Sequence, residues 1–353
     1  MPSSDKDAKD DVAADKKDAI LVHDMRPMTM RHLRRPPLSV VMGVYDMFNK
    51  IGRREPPDRH KTKHLRLITI RVSHYNEKAR WALDLLEEDE TSTVYYTEDT
   101  HPSGFQAFES VRASKGHASA TPMVVEDDEV WSKSDAILRH FCPQLYPASH
   151  KVEIEQLEDD WGDRLGPAVR TYAYGVMLEK EQWPSLVQMN TGPECSRIEN
   201  ILFPYMRNMV GPALRKSLRV NTDSVVLAQE TIRDVFQKAS HRLQQQNSGY
   251  LVGESFTAAD LIFAALSSPL IRPPQLEIFQ APLDGLPTNI QSFIQEMQAT
   301  PAGQHALKMY RNHRYPNAVG RAVRIKCAGR NRIPWMAVAG VAALTAVVVK
   351  AVA

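Results

Sequence analysis

LRLITIRVSHYNEKARWALDLL, residues 65–86, decides the fold. Its first part, LRLITIRVS, is β-branched and aliphatic and has the length of a buried strand. Its second part, HYNEKARWALDLL, places Ala79, Ala82, Leu83 and Leu86 on one helical face. A strand that runs straight into a helix leaves the helix's first N–H groups without intrahelical partners, and Ser73 stands at that junction. From spacing alone, a serine there is read first as a cap for those groups.

Working outward, TSTVYYTED (91–99) reads as a second strand. TPMVVE and EVWS read as a hairpin about Asp127–Asp128, and SDAILRHF (134–141) as a helix that packs back on them. After Cys142 the pattern changes: Pro143, Pro147 and Ser149 make a short linker, and everything beyond is helical in period. Within that region GESFTAADLIFAAL (253–266) predicts a capped helix, with Thr257 and Asp260 bonding reciprocally and Phe256 stapled to Leu261.

The 353 residues suit two packed units with tails, and 43% hydrophobic content suffices for real cores. With 44 Lys and Arg against 42 Asp and Glu, the charge excludes a dedicated nucleic-acid binder. Cys142, Cys195 and Cys327 are far apart and show no metal-ligand spacing, which points to a reducing compartment. The histidines form no HExxH pattern, so no metal is expected. Residues 1–63 predict a mostly disordered extension, neither signal nor transit peptide, with a short amphipathic helix over Leu38, Val41, Met42, Tyr45 and Phe48 that docks on the body or on a membrane.

At the other end, IPWMAVAGVAALTAVVVKAVA (333–353) carries Trp335 and Lys350 as interfacial anchors. At ~1.5 Å per residue it spans about 30 Å, one bilayer core. Arg321, Arg324, Lys326, Arg330 and Arg332 precede it, as expected for a cytosol-facing flank. The alternative reading is a tail helix packed on the globular body.

In sequence order, SHYNEKARWALDLL, TPMVV with KSDAIL, and YLVGESFTAADLIFAAL resemble the glutathione S-transferases, over about His64 to Arg314. The resemblance implies an α+β protein: a thioredoxin-like domain over 64–145 that binds glutathione as co-substrate, then an all-α helical-bundle domain over 146–315 for a small hydrophobic electrophile. A basic linker (316–332) and a transmembrane helix (333–353) complete the layout. Tail-anchored members of the family resemble it, which implies a single-pass anchor in a mitochondrial outer or peroxisomal membrane with the domains in the cytosol. Dimers are usual in such proteins, so a homodimer is an expectation.

The resemblance also moves Ser73 from cap to catalytic residue, the hydroxyl that holds the glutathione thiolate. Tyr75 is a second candidate hydroxyl, although two residues into the helix it is expected to pack inward. The Thr121–Pro122 bond is expected to be cis, so that the preceding backbone meets the cysteinyl part of glutathione. Lys133, Ser134 and Asp135 occupy the positions that hold the γ-glutamyl end. Ser134 and the helix start suit a carboxylate. Lys133 replaces an acidic or amide residue and accepts no hydrogen bond, leaving Asp135 to receive the ammonium group. His74 and Asn76 are further departures. Trp161, Tyr172, Tyr174 and Met177 are core residues first and acceptor-pocket candidates second. The competing reading is a non-catalytic, membrane-tethered binding or adaptor protein, which Lys133 and the long termini favour.

Overall fold

A computed structural model describes residues 21–23, 62–86, 93–127, 129–314 and 323–326. The long apolar run forms β2 (Thr62–Ile70), paired in parallel with β3 (Thr93–His101) from Thr62↔Thr93 to Ile70↔His101. On its other side β2 pairs antiparallel with β4 (Met123–Glu126), and β4 with β5 (Glu129–Ser132). Asp127 turns that hairpin with φ 49°, a left-handed conformation that aspartate tolerates.

Two short strands extend the sheet. β1 (Leu21–His23) lies parallel beside β5 and β6 (Val323–Lys326) parallel beside β3, giving the order β1-β5-β4-β2-β3-β6. One segment falls in the extension expected to be mostly disordered, the other in the basic linker. A sheet edge presents unpaired N–H and C=O groups to any extended backbone, a tertiary opportunity that composition does not reveal. The remainder of the extension, with the helix expected over Leu38 to Phe48, lies outside the described residues, as do Cys327 and the apolar tail. Among the described residues no helix is long and apolar enough to cross a membrane.

Alternation of side chains on β2 builds two layers. Leu65 and Leu67 face Ala79 and Leu83 of α1 (His74–Asp84) and Ile137 and Phe141 of α3 (Ser134–Phe141). Ile68 faces the opposite side, where Met123, Val130 and Ala113 of α2 (Gln106–Ala113) gather. The sheet with its three helices is thioredoxin-type.

The helical domain contains α4 (Lys151–Asp163), α5 (Leu165–Met177), α9 (Thr222–Gln245), α10 (Ala258–Ile271), α11 (Thr288–Ala299) and α12 (Pro301–His313). At its centre, α10 is buried on nearly all sides. Asp260 accepts from the backbone N–H groups of Leu251 (2.8 Å) and Thr257 (2.9 Å) and from His305 (2.9 Å), so the expected reciprocal cap is part of a larger buried tie. Phe256 shares a core with Leu261 and stacks on His313 at 4.2 Å. The intervening α6 (Trp183–Asn190), α7 (Arg197–Leu202) and α8 (Arg207–Ser217) have a core of their own around Trp183, Leu186 and Phe203.

Helix α1 is wedged between both domains: Ala79 and Leu83 belong to the sheet's core, Trp81 and Ala82 to that of the helical domain. Its polar residues are therefore buried too. Buried charges need partners, and Glu77 pairs with Arg314, Lys78 with Glu158 and Asp135, and Arg80 with Glu98.

Candidate functional site

Past Ile70 the chain turns sharply, Ser73 N donating to Ile70 O at 3.3 Å, and α1 begins. Ser73 sits at the N-cap with extended backbone (φ −77°, ψ 125°), and its Oγ accepts from the N–H of Asn76 at 3.4 Å. The capping role is real, but it uses only a lone pair. The hydroxyl proton can still be donated, so one oxygen can cap the helix and hold an anion. The free N–H groups of the first turn add the positive end of the helix dipole.

Asn76 ties the site together. Its Nδ2 donates to Ile70 O (3.0 Å) and to Thr121 Oγ1 (3.4 Å), linking the end of β2 to the loop before β4. The Thr121–Pro122 bond is cis, as the resemblance implied. Ser73, Asn76, Thr121 and Pro122 thus meet at the carboxyl end of β2. In the sequence Asn76 shows only as a departure from the family's pattern, because its bridging role needs the loop before β4, 45 residues away.

Lys133, exposed, precedes α3 with φ 73° and ψ 138°, a conformation that non-glycine residues hold only under constraint from their surroundings. Ser134 is buried at the first turn of α3, and its hydroxyl makes no hydrogen bond among the described residues. Asp135 is bound to Lys78. Burial pushes its carboxyl up, but Lys78, with help from Arg139 and Lys133, outweighs this and holds it below the usual range. Lys78 also reaches Glu158 of α4 at 3.3 Å. The residue expected to receive an ammonium group therefore already has a cationic partner.

Tyr75 packs inward. Its hydroxyl lies against Gly166 of α5, where a Cβ would fall 2.4 Å from it, and burial raises it to about 12. His74 Nε2 donates to Gly166 O at 3.1 Å; burial, reinforced by Arg170, lowers this imidazole to about 3, so it is neutral. Both residues secure α1 to α5.

Beside Ser73, Val72 belongs to the lining of an apolar cleft that holds about 690 Å³, open mouth included. Tyr172 and Met177 line it, as the pocket reading required. The other two candidates do not: Trp161 packs edge-on to Phe263 in the core, and Tyr174 bonds Ser103 at 3.1 Å. Phe279, also in the lining, has the guanidinium groups of Arg71 (4.9 Å) and Arg80 (5.3 Å) against its ring. Arg71 in turn holds the α6–α7 segment through Met189 O (2.7 Å) and Glu194 (3.3 Å). No group of His, Cys, Asp or Glu among the described residues is arranged to hold a metal. Cys142 and Cys195 are free thiols, and burial raises Cys142 to about 12.

Residues 214–313 match the family model described as "Glutathione S-transferase, C-terminal domain". No curated protein matches the chain. Among solved structures, the chain is similar to a possible glutathione S-transferase from Rhodopseudomonas palustris (14% identity, 76% of this chain and 99% of that one, TM-score 0.43). Others are a Nu-class glutathione transferase from Haemonchus contortus (19%, 72% and 98%, TM-score 0.35) and a glutathione S-transferase from Xanthobacter autotrophicus (16%, 67% and 94%, TM-score 0.39). Residues 214–313 are thus similar to the carboxyl-terminal domain of glutathione S-transferases, in a chain whose helical domain follows a thioredoxin-type sheet.

Proposed function

We propose that the protein conjugates or reduces hydrophobic electrophiles with glutathione, the thiolate being held by Ser73. One observation carries the reading: Ser73 caps α1 with its proton free to donate, immediately after Val72 of the apolar cleft. A thiol with a pKa of about 8.5 is only a few per cent ionised at pH 7. Lowering it by about two units takes ~2.7 kcal/mol, within reach of a charge-assisted hydrogen bond plus a helix dipole.

In the conjugation of 1-chloro-2,4-dinitrobenzene the thiol proton passes to solvent, the sulfur pair forms the C–S bond, and the C–Cl bond breaks with its pair leaving on chloride. Thr121 and Pro122 would meet the cysteinyl part of glutathione, and Ser134 the γ-glutamyl carboxylate. The test is glutathione-dependent turnover of this chloride by wild type and Ser73→Ala. A loss of about tenfold or more supports the reading, and equal rates reject the role of Ser73.

A second reading, an adaptor without catalysis, is favoured by one observation: Asp135 is already bound to Lys78, and Lys133 offers no acceptor in its place. Failure to bind glutathione at millimolar concentration would select it. In both readings the chain acts at a cytosol-facing membrane surface through residues 333–353, and truncation after Arg332 should release it from membranes.

A further inference from the structure

Arg272 is a cation in an apolar place. It closes α10 in a left-handed conformation (φ 47°, ψ 60°) and belongs to the lining of the cleft, among Tyr172, Val176, Phe279 and Ala281. Its Nη2 donates to Ala281 O, which leaves most of its donors uncommitted. The other guanidinium groups beside the cleft have carboxylates: Arg71 has Glu194 and Arg80 has Glu98. Among the described residues Arg272 has none. Glu277 and Asp284, on the turns that follow, are exposed and form no ion pair with it. Burial is the cause that acts on its pKa, pulling it down, and an arginine remains charged even so.

A half-buried guanidinium without a counter-ion is costly, and a planar carboxylate matches its donors. We propose that the cleft selects an apolar acid, whose hydrocarbon or aromatic body lies on Tyr172, Val176 and Phe279 while its carboxylate meets Arg272. This names the acceptor class of the proposed transferase and rests on the cleft being its acceptor pocket. The charge sets the selection, because Arg272 is, among the described residues, the one charged residue of a mostly apolar lining, and apolar walls separate apolar bodies only by size.

Calorimetric titration of the full chain with octanoate and with octan-1-ol, without glutathione, tests it. Octanoate should bind about tenfold or more tighter than the alcohol. Arg272→Gln should erase that preference without weakening the alcohol, and Arg272→Lys should retain part of it. Equal binding of acid and alcohol by wild type overturns the inference, as does an acid preference that survives in Arg272→Gln. The wild-type comparison decides the matter even if a variant fails to fold. Because no glutathione is present, this result is independent of Ser73: equal binding with normal turnover sinks only the acid selection, and a silent Ser73 leaves it standing.

Discussion

Arg314 Nε donates to Glu77, 237 residues earlier in the sequence, at 2.7 Å, and its Nη1 donates to Asp84 at the same distance. The residue just past α12 is thereby buried against both ends of the helix that Ser73 caps. Removing one member of a buried pair strands the other charge, at about 3–5 kcal/mol. Arg314→Ala should lower the free energy of urea unfolding by that order. The triple variant Arg314→Met, Glu77→Gln, Asp84→Asn should recover most of it, and a loss below about 1 kcal/mol for Arg314→Ala would show that the pair does not clamp the domains.

Ser73→Ala should separate the hydroxyl's two roles. Loss of the cap costs about 1 kcal/mol of stability. Loss of the donor should move the acidic limb of the pH profile for kcat/KM upward by about one to two units, Ser73→Thr remaining close to wild type. A stability loss with an unmoved profile would leave Ser73 a cap and nothing more.

Gly166 is required because Tyr75 fills the space where its Cβ would be. Gly166→Ala should destabilise by about 1–3 kcal/mol through overpacking. In a Tyr75→Phe background the cost should shrink, since the nearest atom, the hydroxyl, is gone. Equal costs in both backgrounds, read from a double-mutant cycle of denaturation midpoints, would place the strain elsewhere.

His101 pairs with Glu199 of α7 at 2.7 Å and lies 3.5 Å from Asp99, with Arg66 nearby. Burial lowers its pKa and Arg66 opposes protonation, yet the two carboxylates prevail, so the folded value lies above the ordinary 6.5. A raised folded pKa means that this stabilisation is complete below about pH 6.5 and is lost as pH climbs through the higher, folded value. Protection factors for hydrogen exchange in α7, taken after the intrinsic rise of exchange with pH is divided out, should fall over that range, and His101→Gln should flatten the fall. Protection factors that stay constant in wild type would remove His101 from the tie.

The sequence shows most of the thioredoxin-type unit because its elements are locally encoded: a β-branched, aliphatic run of strand length in β2, turn chemistry at Asp127, and a helix signal over 134–141. The α10 cap was equally legible from Thr257 and Asp260. Position along the chain could not tell which of Trp161, Tyr172, Tyr174 and Met177 share a cavity, since that depends on how α4 and α5 are each rotated against the rest of the bundle. Nor could it show Asp135 meeting Lys78, or Asn76 bridging to Thr121, partners 57 and 45 residues apart. Arg272 gave no local sign at all, because its proposed role rests on the lack of a carboxylate partner among the described residues.

β6 runs parallel to β3, with Tyr95 opposite Val323 and Glu98 opposite Lys326. β6 therefore ends, at Lys326, on the side of the sheet at which β2 delivers Ser73. A segment that composition marks as a linker thus becomes an outer strand of only four residues, a poor template for any further extended chain.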